Sequence, residues 1–168
     1  LAVTKTDIAD ISDYVGSVFQ NPRTQFFNTD TDSEIVFGLE NRALPQEKLK
    51  MCLEKTSREL NLSALRKRNI FELSGGEKQK IAFASVYATE SEIFVLDEPS
   101  SNLDMGAIEE LTDLLQRVKA QGKTIIIAEH RLWYLMDVAD RVVYMHGGKI
   151  LKDMTLTDFQ ALPESEIL

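Results

Sequence analysis

Residues 93–130 read IFVLDEPSSNLDMGAIEELTDLLQRVKAQGKTIIIAEH, and this stretch decides the fold. Ile93 to Leu96 form an uninterrupted apolar run closed by Asp97, Glu98 and Pro99, the pattern of a buried strand. From Met105 the apolar residues recur at helical spacing. Ile108, Leu111, Leu114, Leu115 and Val118 share one face, and Gly122 is the natural C-terminal stop. Thr124 to Ala128 form a second fully apolar strand. Strand, helix and strand at this spacing make a right-handed parallel crossover unit, so the chain is predicted to be α/β, with a parallel core sheet flanked by helices.

Working outward, "DYVGSVFQ" reads as a short buried strand ending at Gln20, and Asn21-Pro22 breaks it. A mostly polar stretch through Asn41 follows, punctuated by Phe26, Phe27, Ile35, Val36 and Phe37. From Pro45 a helix is expected, with Leu49, Cys52, Leu53, Thr56 and Leu60 on one face. "ELSGGEKQKIAFASVYATES" is a second helix, apolar on most sides and so buried. "RLWYLMDVAD" is expected as a short helix, and "RVVYMHGGKIL" as a hairpin turning at Gly147-Gly148.

Composition bounds the function. The chain has 168 residues, 43% hydrophobic and 27% charged, which suits one domain with a sizeable core. Its net charge of −8 argues against nucleic-acid or anionic-membrane binding through bulk charge. One cysteine, Cys52, rules out an intramolecular disulfide framework. No apolar run reaches the length of a membrane span. The sequence opens "LAVTKTD" without Met, as a piece of a longer gene product would.

Gly122-Lys123-Thr124 matches the last letters of a phosphate-binding loop, but such a loop needs Gly five residues earlier, a strand before it and a helix after it. Arg117 stands where that Gly belongs, and helix and strand come in the reverse order. Gly148-Lys149 fails in the same way, with Val143 at the first Gly position.

Five strings carry chemistry. "IFVLDEPS" puts Asp97 and Glu98 at the C-terminal end of a parallel strand, the edge that faces the ligand crevice in open parallel sheets. Such a pair suits Mg²⁺ at Asp97 and a polarised water at Glu98, or equally an ordinary strand end where two acids meet solvent. "LSGGEKQ" fits a capping box from Ser74 to Glu77. Its two glycines are costly at a helix start and leave bare N–H groups that an anion can approach. "TIIIAEH" brings His130 to the same crevice edge, where an imidazole can bond a phosphate oxygen and the attacking water. "VFQNP" adds Gln20 at a strand end. "SSNLD", Ser100 to Asp104, is a polar turn with a helix N-cap.

In this order the five strings resemble the nucleotide-binding domain of ATP-binding-cassette ATPases, over nearly the whole chain. The resemblance implies a P-loop NTPase-like sheet and an inserted helical subdomain from about Gln20 to Leu73. The signature helix, D-loop, switch histidine and C-terminal hairpin follow from about Ser74 to Leu168. It implies ATP and Mg²⁺ as ligands. Gln20 becomes the Q-loop glutamine, shared between metal and catalysis, Asp97 the metal-linked aspartate, and Glu98 the catalytic glutamate. His130 becomes the switch histidine. Ser74, Gly75, Gly76, Glu77 and Asp104 would contact ATP, partly across a head-to-tail dimer with a second cassette ATPase. Glu77 stands where Gln is commonest in the family. The family's phosphate loop precedes the Q-loop glutamine by some tens of residues, so the first part of the fold, with that loop, is expected on a segment outside these residues. This chain alone is then expected to be inactive.

"GSVFQNPRTQFF", "SEIVFGLEN" and "AEHRL" look most like ATPase subunits of energy-coupling factor importers for vitamins or metal ions. That likeness implies a transmembrane partner docking near Phe26, Phe27, Ile35 and Phe37, no nucleic acid, and a place on the cytoplasmic face of the membrane. The alternatives are a soluble cassette ATPase of translation or repair, and a module that lends its Ser-Gly-Gly without hydrolysing ATP itself. A compact segment between Gln20 and Leu73, in place of a long coiled coil, disfavours the repair type.

Overall fold

The computed structural model describes residues 5–163. The chain divides into two compact units, Leu1–Arg131 and Leu132–Leu168. In the first, three parallel strands form a sheet in the order β1-β2-β3: β1 (Val15–Val18), β2 (Ile93–Asp97) and β3 (Thr124–Ala128). Val18, Leu96 and Ile127 are paired in register, so all three strands end at nearly the same level. A short helix, α1 (Ile8–Ser12), precedes β1; α2 (Thr31–Glu40), α3 (Gln46–Glu59) and α4 (Gly75–Ala88) connect β1 to β2, and α5 (Met105–Ala120) connects β2 to β3.

The helices cover one face of the sheet. Gly16, Val18, Phe94 and Leu96 are buried there, and Phe83 of α4 stacks on Phe94 with ring centroids 5.7 Å apart. All five predicted apolar residues of α5 are buried. Each such side chain contributes about 1.5–3 kcal/mol on leaving water. The opposite face is more open than a continuous apolar run suggests, and Ile126 of β3 is 55% exposed. The strands alternate in burial because α4 and α5 lie on the same side. At the far end of α5, Gly122 has φ 77° and its N–H donates to Lys119 O, so it stops the helix as expected. Lys123 then pairs with Glu92 at the start of the strands, far along the sheet from Glu98.

Helix α4 is buried on most sides, as its composition predicts. Helix α3 packs through Leu49 and Thr56, with Cys52 and Leu53 half-buried. Helix α2 lies in the stretch that reads as mostly polar. Asp30 caps it by accepting from Ser33 N at 2.9 Å, and its buried residues include Thr31 and Glu34 beside Ile35, Val36 and Leu39. Two polar residues on the inner face hide the helical period. They are satisfied inside: Thr31 donates to Leu65 O, and the Glu34 carboxylate accepts from the Phe27 and Asn28 N–H groups. Ile35, expected at a docking surface, has no exposed area because it faces the core. Of its expected companions, Phe27 is exposed and stacks on the half-buried Phe37 at 4.7 Å.

The second unit holds an antiparallel hairpin of β4 (Arg141–His146) and β5 (Lys149–Thr155), followed by α6 (Leu156–Gln160). It turns at Gly147 and Gly148, both at positive φ, as the sequence predicts. The helix expected over "RLWYLMDVAD" is only a 3-10 turn at Trp133–Leu135, and no side chain caps its start.

Gly16 packs tightly against α4. A Cβ there would lie 2.1 Å from Val86 Cγ1 and 3.1 Å from Ser91 Oγ. Gly16→Ala is expected to destabilise by about 1–3 kcal/mol through overpacking. Val86→Ala in the same molecule should recover part of that loss, giving a total below the sum of the single changes. Urea unfolding of the three variants checks this, and strict additivity would contradict the contact.

Candidate functional site

The common level of the strand ends puts Gln20, Glu98 and His130 at one edge of the sheet. Gln20 Nε2 donates to Glu98 Oε2 at 2.7 Å, and His130 Nε2 lies 3.1 Å from Glu98 Oε1. The Glu98 carboxylate therefore stands between an amide from the end of β1 and an imidazole from the end of β3. Its backbone is held as well: Glu98 N donates to Ala128 O at 2.8 Å, and Glu98 O accepts from Ser101 N at 3.1 Å. Glu98 has φ 41°, a left-handed conformation that costs a non-glycine residue about 1–2 kcal/mol. Strain of this kind concentrates at functional sites.

Asp97 ends β2, paired in register with Ala128, and is exposed. Among the described residues, no group of three or more His, Cys, Asp or Glu side chains could enclose a metal. Mg²⁺ does not require one, because it is commonly held by one or two carboxylates with waters and substrate phosphates. The donor set fits that chemistry. Asp97 offers an exposed carboxylate, and Gln20, which donates Nε2 to Glu98, could offer Oε1.

Residues that the sequence did not single out hold these groups in place. Gln25 accepts from Phe19 N at 3.2 Å and donates to Ser17 O at 3.3 Å, bracing the chain around Gln20. Glu129 accepts from Ser100 and from the His130 and Arg131 N–H groups. An acid directly before the strand-end histidine was the available signal for Glu129.

The start of α4 forms a separate arrangement. Ser74 Oγ accepts from Glu77 N at 3.2 Å, and Ser74 N donates to Glu77 Oε2 at 2.7 Å, which completes the predicted capping box. Ser74 and Gly75 are exposed. The two glycines have different reasons. A Cβ on Gly76 would come 2.8 Å from Ala107 Cβ, so Gly76 is required where α4 meets α5. A Cβ on Gly75 would meet only Asn102 O, at 3.4 Å, an ordinary contact. Packing thus accounts for Gly76 and leaves Gly75 without a structural reason. Asp104 accepts from Ala107 N at 2.9 Å as the N-cap of α5.

No hydrogen bond among the described residues joins Ser74, Gly75 or Gly76 to the Gln20–Glu98–His130 cluster. A cavity of about 380 Å³ lies between them, bordered by Gln20, Arg23, Gly75, Gln79 and Asn102. One chain thus carries two separate arrangements: an acid–amide–imidazole group and an exposed, capped helix start.

The chain is similar to proteins of known family. A family model described as "ABC transporter" matches residues 2–101. A protein of Treponema denticola named as an ABC transporter ATP-binding protein is 67% identical over 163 residues, covering 97% of this chain and 33% of its own length. One of that name from Methanosarcina mazei is 43% identical over 140 residues, 83% of this chain and 24% of its own. The chain therefore spans about a third or less of these relatives. Among solved structures, cbiO1 from Clostridium perfringens, described as part of the ABC transporter complex cbiONQ, superposes with a TM-score of 0.84 at 28% identity. It covers 95% of this chain and 63% of its own.

The capping box carries a pH signature. The Ser74 N–H holds the Glu77 carboxyl below its ordinary 4.5; partial burial works against this, and the Ser74 side chain and Arg68 add to the lowering. Its stabilisation is therefore complete above about pH 4.5 and is lost as pH falls through the lower folded value. Glu77→Gln keeps an acceptor oxygen but not the charge. Its unfolding free energy should fall less steeply below pH 4.5 than that of the parent. Urea midpoints across that range check this, and parallel curves would contradict it.

Proposed function

Because the chain belongs to the ABC transporter family of ATP-binding proteins, we propose that it is the part of an ATP-hydrolysing subunit that carries the catalytic carboxylate and the signature helix. The observation that carries this reading is the Glu98 carboxylate, held between Gln20 at 2.7 Å and His130 at 3.1 Å. Glu98 orients and polarises the attacking water. His130 donates to the γ-phosphate as charge develops there, and Gln20, which donates Nε2 to Glu98, would stand between that carboxylate and a bound metal. Asp97 and Gln20 Oε1 would hold Mg²⁺, which would supply charge neutralisation at the phosphates. Catalysis of this kind is positioning plus charge stabilisation.

Ser74 and the Gly75 and Gly76 amides receive the γ-phosphate of the nucleotide held by a second cassette subunit in a head-to-tail dimer. These residues are exposed or half-exposed and make no bond to the chain's own Glu98 cluster, as a site acting in trans requires. The 168 residues hold no phosphate loop, so contacts to the chain's own nucleotide also draw on residues outside them.

The coupled process we propose is import through an energy-coupling factor type transporter. The strings "GSVFQNPRTQFF" and "SEIVFGLEN" support it, as does the likeness to cbiO1, which is part of a transporter complex. The membrane partner would dock on the exposed Phe27 and the half-buried Phe26 and Phe37, without Ile35. On this reading the protein works at the cytoplasmic face of a membrane. Among the described residues no helix is long and apolar enough to cross one.

Two variants of the full-length protein, assayed with its partners, test the reading. Glu98→Gln should lower the ATPase rate by about 10²–10⁴-fold while ATP affinity stays the same. Gly75→Ala should also lower the rate, with melting temperature unchanged, because the structure has room for the methyl group but a phosphate in trans does not. An undiminished rate in both would overturn the proposal.

A further inference from the structure

The turn after Glu98 and the end of β3 are joined through one side chain. Glu129 Oε2 accepts from Ser100 Oγ at 2.7 Å and from Ser100 N at 3.3 Å. Its other oxygen, Oε1, accepts from His130 N at 2.8 Å and from Arg131 N at 3.1 Å. Arg131 closes the loop by donating Nη1 to Ser100 O at 3.3 Å. Ser100 is fully buried, and the carboxylate oxygens are divided between two chain segments 29 residues apart. One oxygen fixes the segment that continues from Glu98 and Pro99. The other fixes the backbone of the residue whose imidazole touches Glu98.

We propose that Glu129 is a positioning residue, whose carboxylate sets the distance between the Glu98 carboxylate and the His130 imidazole. This rests on the hydrolytic reading of Glu98 and His130. The chemistry calls for a carboxylate. Hydrogen bonds from N–H and O–H groups to an ionised acceptor are roughly twice as strong as neutral ones, and both oxygens accept from N–H groups, Ser100 N on one side and His130 N and Arg131 N on the other. Glutamine supplies only one acceptor oxygen, and its NH2 would oppose either the Ser100 N–H or the His130 and Arg131 N–H groups. His130 itself is held weakly by its surroundings, since its side chain is 85% exposed. Its backbone anchor therefore does much to decide where the ring points.

The test compares Glu129→Gln, His130→Ala and the double variant in the full-length protein. Glu129→Gln should lower kcat about tenfold or more with little change in the KM for ATP, because the affected contact is made at the transition state. The double variant should be no slower than His130→Ala alone, because both changes act on the same group. Ser100→Ala should move kcat in the same direction by a smaller factor. An activity-independent measurement is amide hydrogen exchange at His130 and Arg131, which Glu129→Gln should accelerate. A Glu129→Gln enzyme with wild-type kcat, while His130→Ala is impaired, would overturn this inference and leave the hydrolytic reading intact. So would kcat losses that simply multiply in the double variant, or unchanged amide exchange. If Glu98→Gln and His130→Ala both turn over normally, the hydrolytic reading has failed instead, and this role for Glu129 fails with it.

Discussion

The site depends on the parallel pairing of β2 with a strand on each side. Register is fixed by backbone hydrogen bonds and by an alternation that buries Phe94 and Leu96 against the helices. A slip of one residue would turn those side chains to the other face of the sheet. With Leu96 set level with Val18 and Ile127, the next residues of all three strands emerge at one edge. Gln20, Glu98 and His130 lie far apart in sequence, yet one register brings them into hydrogen-bonding distance. The core thus fixes the chemistry without touching it: the energy is apolar burial, and the precision comes from ladder geometry.

Several residues of the proposed site have structural reasons of their own. Ser74 and Glu77 close a capping box that stabilises α4, and the same geometry leaves Gly75 exposed at a helix start. Gly76 answers to Ala107 across the α4–α5 contact. Asp104 starts α5, and the buried Ser100 belongs to the turn between Glu98 and that helix. On the proposed reading, a change at any of these positions would affect folding and function together. Gly75 is the exception, because nothing in the packing requires it.

Much of the fold was legible because its signals are local. The helical period of α5, the apolar runs of β2 and β3, the Gly147-Gly148 turn and the capping box each lie within a short window, and the structure shows all of them. The same runs misled on burial, because an apolar strand does not reveal that its covering helices share one side. Helix α2 was not legible, because Thr31 and Glu34 on its buried face are satisfied by partners elsewhere in the chain. For the same reason Ile35 looked like surface. Candidate site residues were legible as types at strand ends. Their mutual distances were not, and neither was the bridging by Glu129, because both depend on residues brought together only by the register.

The central claim is that the Glu98 edge of the sheet is where phosphoryl transfer takes place. The most direct measurement is a crystal structure of the full-length protein with Mg²⁺ and a non-hydrolysable ATP analogue. The account predicts the terminal phosphate beside Glu98 and His130, with the ion held by Asp97, directly or through water, and by Gln20 Oε1. A nucleotide bound with its terminal phosphate away from this edge, or an ion that reaches neither Asp97 nor Gln20, would contradict it.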